Sequence, residues 1–230
     1  MLHSIRALTI DLDDTLWEVA PVIRRAEQKL GEWLAHRYPR IPERYAPADM
    51  LALRQEIVAA HPEQAHDFRF LRRAVMREMA RAVGYAETLA EEAFAVFDRH
   101  RNEVEFFEDV LPALEQLHPR YRLVAVTNGN ADLHRIGVGH LFHGIVTAVS
   151  AGAPKPHPQI FAQAMSHARS EPAEVLHVGD HPDHDIEGAR RAGMLTVWVN
   201  RRGEDWPDGL EPPHAEVPDF DALLDLLETA

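Results

Sequence analysis

Five short runs of Val, Ile and Leu constrain this chain more than any other feature. They are Ala7–Asp11 (ALTID), Leu123–Thr127 (LVAVT), Ile145–Val149 (IVTAV), Val175–Gly179 (VLHVG) and Thr196–Asn200 (TVWVN). Apolar and polar residues scarcely alternate in them, which is how strands covered on both faces read. Helical patterns lie between the later runs. Phe161, Met165 and Ala168 share one face, as do Ile186, Ala189 and Ala192, with Gly193 placed as a helix-terminating glycine. Phe220, Leu223, Leu224 and Leu227 mark a last amphipathic helix. Strands alternating with helices predict an α/β domain with a mostly parallel sheet.

The first gap breaks the rhythm. Asp11 to Thr127 is 116 residues, whereas a strand–helix–strand unit needs only about 30. The intervening segment reads as helix. Val22, Ala26, Leu30, Trp33 and Leu34 make one apolar face; Leu51 to Ala60 and Leu71, Val75 and Met79 make others. Ala90 to Phe97 is a further short helix, and Pro39, Pro42 and Pro47 punctuate the longest loop. The expectation is an all-helical insertion over residues 18–105, with the α/β domain built from residues 1–17 and 106–230.

Composition narrows the function. The net charge of −13 and the lack of any basic run argue against nucleic acid or an acidic membrane as partner. With no Cys, disulfides, thiolate metal sites and thiol nucleophiles are excluded. The stretch from Ile136 to Pro154 carries no charged residue over 19 positions, long enough for a membrane span. Four glycines and two histidines interrupt it, so it reads as loop, strand and loop. The start has too short an apolar stretch for a signal peptide, and the expected location is the cytoplasm.

Four polar segments fall at or just beyond the predicted carboxyl ends of strands, the edge where open α/β sheets bind ligands. They are Asp11-Leu12-Asp13-Asp14-Thr15, Thr127-Asn128-Gly129-Asn130, the Pro154-Lys155-Pro156 loop, and Gly179-Asp180-His181-Pro182-Asp183-His184-Asp185. Each alone has an ordinary structural reading as helix cap, turn or solvated loop. Together they join a carboxylate cluster, a hydroxyl and an ammonium on one edge. Crowded carboxylates repel unless protonated or bridged by a cation, and hard oxygen ligands suit Mg²⁺. One carboxylate then serves as a nucleophile toward phosphorus, and a second, two residues on, as general acid and base. Thr127 and Lys155 are placed to hold phosphoryl oxygens.

DLDDTLW, VAVTNGN, the PKPHPQIF loop and VGDHPDHDIEGARRAGM resemble, in order, the four motifs of the haloacid dehalogenase superfamily, chiefly its phosphatases. The resemblance implies a Rossmann-like doubly wound parallel sheet with an inserted helical cap of the first type. By motif it implies that Asp11 is the nucleophile and a metal ligand. Asp13 is then the acid/base, with its backbone carbonyl on Mg²⁺, and Asp180 the second carboxylate ligand. Thr127 and the backbone of Asn128 bind phosphate, Lys155 stabilises charge, and Asp185 orders metal waters or the lysine. His181 and His184 stand where the motif more often has Ser and Asn. An acid at residue 13 favours ester hydrolysis, because the superfamily's dehalogenases expel halide without a proton and lack it.

Within the superfamily the chain resembles bacterial enzymes that dephosphorylate flavin mononucleotide and 5-amino-6-(5-phosphoribitylamino)uracil. DLDDTLW…PVIRRAE, Phe68-Arg69-Phe70-Leu71-Arg72-Arg73 and Thr127-Asn128-Gly129-Asn130 carry that likeness. The partner implied is a small phosphate ester. Arg69 is the candidate cap residue for substrate, and Trp17, Trp33, Phe68 and Phe70 are either a platform for a flat ring or helix-bundle core. A 2-haloacid dehalogenase, a phosphomutase and a catalytically silent partner subunit are the alternatives. A signalling receiver domain fails, because the expected phosphoacceptor strand reads Leu51-Ala52-Leu53-Arg54-Gln55, a helix.

Overall fold

The computed structural model describes residues 4–229. The chain divides into two compact units. One comprises residues up to Glu18, Glu105–Gly129 and everything from Leu133; the other is Val19–Val104 with Asn130–Asp132.

The first unit is an α/β sandwich. Its strands are β1 (Ala7–Ile10), β2 (Arg122–Thr127), β3 (Gly144–Thr147), β4 (Val175–Gly179), β5 (Leu195–Val199) and β6 (Ala215–Val217). They form one sheet in the order β3-β2-β1-β4-β5-β6, and every pairing is parallel. The period-two alternation of a strand sends Ala7, Val124, Val126 and Val175 to one face. There they pack with Ile160, Phe161 and Ala164 of a helix spanning Pro158–Ala168. The predicted terminal helix is present over Phe220–Glu228 and buries Phe220, Leu223, Leu224 and Leu227. Gly193 lies at φ 81°, the left-handed conformation a helix-ending glycine supplies without strain.

The structure corrects several expectations. Asp11 and Asn200 lie just outside their strands. Val149 does not continue β3: Thr147 accepts a hydrogen bond from the Ser150 N–H at 3.0 Å and so starts a helical turn, Ala148–Ala151. β6 has no counterpart among the predicted strands, because three residues reading Ala-Glu-Val carry no pattern; pairing with β5 makes it a strand. The uncharged stretch from Ile136 is broken into short turns, β3 and a helical turn. No helix of the described residues is long and apolar enough to cross a membrane.

The second unit is helical: α1 (Val19–Arg37), α2 (Arg40–Arg44), α3 (Pro47–Ala60), α4 (Phe68–Ala82) and α5 (Leu89–Arg101). Ala26, Leu30 and Leu34 of α1 meet Val75, Met76 and Met79 of α4 and Ala90, Ala93 and Phe97 of α5 in one core. The proline-rich loop contains α2 after all. Pro42 sits in its first turn, where a missing N–H breaks no helical bond, and the fully buried Ile41 draws the turn inward. Despite its many apolar residues, α3 buries none of them fully; Met50, Leu53 and Ile57 pack half-buried against this core.

Of the four aromatics read as a platform or core, Trp33 packs against this core and Phe70 lies edge-on to His61. Phe68 is exposed. Trp17 belongs to the α/β unit, where it is fully buried.

Candidate active site

Three adjacent strands set the site. β2, β1 and β4 lie side by side, and their carboxyl ends present Thr127, Asp11 and Asp180. This is where the strand order reverses, so the loops leave toward opposite sides and open a crevice. Lys155 arrives on the loop after the Ala148–Ala151 turn. The Asn128 side chain clamps that loop: its Oδ1 accepts from the Lys155 N–H at 2.6 Å, and its Nδ2 donates to the Lys155 carbonyl at 3.1 Å. This structural task of the Asn128 side chain is separate from the phosphate contact expected of its backbone. Thr127 is buried, and its Oγ1 accepts from the Gly129 N–H at 2.9 Å, which shapes the turn.

A buried polar network joins these elements. Lys155 Nζ donates to Asp11 Oδ1 and, at 2.6 Å, to Asp185 Oδ1. Asp185 is also bonded to His177 Nε2 at 3.1 Å and accepts from the His181 N–H at 3.1 Å. His177 Nδ1 in turn meets Thr9 Oγ1 at 2.8 Å. Thr15 Oγ1 lies 3.2 Å from Asp11 Oδ2 and 3.0 Å from Asp180 Oδ1. Only one proton sits on that hydroxyl, so one of the two carboxylate contacts calls for a further proton or a cation. Trp198 Nε1 donates to the Asp180 carbonyl at 2.7 Å and fixes the turn after β4.

Gly179 is needed at the end of β4. A Cβ there would lie 2.4 Å from Asp185 Cγ, well inside the contact distance of two carbon atoms, so only glycine lets the carboxylate approach.

The electrostatics follow from three carboxylates and one ammonium at a largely buried site. Burial alone would deprotonate Lys155, but the charges of Asp11 and Asp185 outweigh it and hold the ammonium firmly protonated. Asp185 is likewise pushed up by burial, yet Lys155 and the His177 hydrogen bond hold it well below the usual carboxylate range. Asp11 is raised, chiefly by burial and then by the charges of Asp185 and Asp180, against the pull of Lys155. Burial, then Asp185, pushes Asp180 up to about 7. Burial pulls the His177 imidazole below its usual range, against the Asp185 carboxylate. The cluster is short of positive charge.

Asp11, Asp180 and Asp185 each offer an oxygen, all within 4.8 Å of one another. This donor set fits a hard divalent cation such as Mg²⁺. A cation there would offset the burial and the Asp185 charge that raise Asp180.

The family model described as haloacid dehalogenase-like hydrolase matches residues 5–193. This chain belongs to the haloacid dehalogenase-like hydrolases. It is 32% identical to the 5-amino-6-(5-phospho-D-ribitylamino)uracil phosphatase YigB of Escherichia coli (strain K12), covering 98% of each chain. It is 43% identical to the glyceraldehyde 3-phosphate phosphatase of Methanopyrus kandleri over 50% of this chain and 51% of that one. Among solved structures, a protein named 2-haloacid dehalogenase from Pseudomonas syringae pv. Tomato DC3000 superposes with a TM-score of 0.93 at 36% identity. That match covers 98% of this chain and 99% of the other.

In this haloacid dehalogenase-like hydrolase the remaining predicted residues fall in distinct places. Asp13 is half-buried and accepts from Trp17 Nε1 at 2.8 Å. Arg69 stands in the first turn of α4, and its Nη2 donates to the Asn130 carbonyl at 3.2 Å. His181 and His184 stack on each other, 3.9 Å between centroids, and His181 Nδ1 caps the following helical turn by accepting from the Asp183 and His184 N–H groups. His177 and Trp198 join the site without any motif that marks them. The only signal for His177 was a polar residue inside an apolar strand; Trp198 looked like core.

Proposed function

We propose that this chain is a Mg²⁺-dependent phosphatase that hydrolyses a small phosphorylated metabolite through an aspartyl-phosphate on Asp11. The observation that carries the reading is the pair Asp11 and Asp13 at the carboxyl edge, with Lys155 bonded to Asp11. An Asp11 oxygen forms a bond to phosphorus while the ester P–O bond breaks. Asp13 gives its proton to the departing oxygen. Asp13 then takes a proton from water as the water oxygen attacks phosphorus and the acyl phosphate bond breaks, which releases inorganic phosphate and restores Asp11. Lys155 and Thr127 balance the charge of the phosphoryl oxygens. Asp185 keeps Lys155 aligned. Asp11, Asp180 and the backbone carbonyl of Asp13 would hold Mg²⁺, which supplies positive charge to nucleophile and phosphoryl group.

The name of the Pseudomonas structure favours a second reading, carbon–halogen cleavage. Asp13 weighs against it, since halide leaves without a proton. Phosphate release from p-nitrophenyl phosphate with Mg²⁺, set beside halide release from a 2-haloacid, tests both. Phosphate release lost in Asp11→Asn supports the phosphatase; halide release alone refutes it. Asp13→Asn should slow hydrolysis of the phosphoenzyme more than its formation from a good leaving group.

The substrate proposed is a ribityl phosphate, either 5-amino-6-(5-phosphoribitylamino)uracil or flavin mononucleotide. Support comes from the full-length likeness to the Escherichia coli enzyme. A panel of phosphorylated metabolites that includes sugar phosphates and phosphoserine tests it: a preference for one of those over both ribityl phosphates would overturn the assignment.

A further inference from the structure

Trp17 has no part in the reaction described so far. It follows the first acidic motif and is fully buried in the α/β unit. Its backbone is tied on both sides. The Asp14 N–H donates to the Trp17 carbonyl at 2.8 Å, and Trp17 bridges both Asp13 and Phe106. The indole lies edge-on to Phe106, centroids 5.4 Å apart and planes at 84°. A ring held this way has little freedom to turn. A buried indole N–H also needs an acceptor, since leaving one unpaired costs about 1–3 kcal/mol. The acceptor is the carboxylate of Asp13, at 2.8 Å.

We propose that Trp17 is the positioning residue for the acid/base Asp13: its N–H holds Oδ1 and so fixes the rotation of the carboxyl group toward the leaving oxygen. This rests on the phosphatase reading and extends it to a residue outside the four motifs' reacting groups. An oxygen that accepts from an indole N–H is poorly suited to carry the acidic proton. The proton that moves is therefore on Oδ2 when the ester bond breaks and returns there when water attacks. Nothing else about the motif requires a tryptophan. A phenylalanine keeps an aromatic ring against Phe106 but loses the donor and part of the buried volume.

The test is the first turnover, read as release of the alcohol in rapid mixing with Mg²⁺. p-Nitrophenyl phosphate has a leaving group that departs with little protonation; phenyl phosphate needs the proton. General acid catalysis is worth roughly 10²–10⁴-fold. Trp17→Phe should therefore slow phenol release about tenfold or more, while nitrophenol release stays within about threefold. Replacing Trp17 by benzothienylalanine, which puts sulfur in place of the N–H at nearly constant shape, should give the same ratio and covers a Trp17→Phe chain that does not fold. Phe106→Leu disturbs the packing but keeps the donor, so its ratio should match wild type.

Equal slowing of both substrates, no change in either, or a Phe106→Leu ratio like that of Trp17→Phe overturns the assignment. A wild-type chain that releases neither alcohol overturns the phosphatase reading and this assignment with it. A wild type active on both, with an unchanged ratio in the variants, overturns this assignment alone.

Discussion

Replacing Asp180 by Asn removes a charge that the folded chain holds at a disadvantage. Asp180 is pushed from 3.8 to about 7 by burial and by Asp185. The folded state thus binds this proton more tightly than the unfolded state does. The stability it contributes is complete below about pH 4 and is lost as pH rises through about 7. A gap of about three pH units corresponds to about 4 kcal/mol at about 1.4 kcal/mol per unit. Asp11 and Asp185 share the same field, so about 2–4 kcal/mol is the expected range. Asn imitates the protonated acid and accepts from Thr15 as before. In chelator, Asp180→Asn should match wild type near pH 4. At pH 8 it should be the more stable by about 2–4 kcal/mol, or about 4–16 °C for a chain of this size.

Mg²⁺ should then reverse the order. A ligand at about 1,000 times its dissociation constant adds about 4.1 kcal/mol, enough to offset that whole range, and only wild type keeps the full donor set. Thermal melts at both pH values, with chelator and with Mg²⁺, read all four states. A stability difference at pH 8 that is absent, or that does not change with pH, would refute the argument. So would equal stabilisation of both chains by Mg²⁺.

Other outcomes follow from single contacts. Gly179→Ala places a methyl 2.4 Å from Asp185 Cγ and should cost about 1–3 kcal/mol by overpacking; it should also depress turnover severely by displacing Asp185 from Lys155, read by melting and by phosphate release. Asp14 adopts φ 64°, so Asp14→Val should destabilise by about 1–3 kcal/mol through backbone strain, measured by denaturant titration. Arg201 holds Asp109 through two hydrogen bonds of 3.1 and 2.8 Å and covers the Phe107 ring. Arg201→Ala should lower stability by about 2–3 kcal/mol, with a smaller loss on lysine replacement. Asp11→Asn should retain the fold and abolish phosphate release, seen as a native melt with no turnover.

The parallel sheet was legible because strands buried on both faces must be apolar throughout, and the motifs at their ends stood out against that background. β6 was not legible: its pairing with β5 comes from proximity, not from any preference of Ala215, Glu216 and Val217. Val149 leaves the strand because a cap formed by Thr147 and Ser150 overrides a β-branched residue's preference for strand. At the site, residue types and their order pointed to Asp11, Thr127, Lys155 and Asp180. Their supports did not show, since His177, Gly179 and Trp198 act through contacts with residues distant in the chain or across a turn.

By itself the sequence determined which chemistry is possible: no thiol, an acidic pair after the first strand, one lysine and one hydroxyl in the right order, on an α/β frame of the haloacid dehalogenase-like hydrolases. Only the tertiary structure decided the charge state of that chemistry. Carboxylates more than 160 residues apart in the chain, Asp11 and Asp180, come within reach of one hydroxyl. In a buried cluster each one's proton affinity depends on the other charges beside it. Composition counts charges; the fold brings them close enough, and excludes enough water, for them to set one another's protonation.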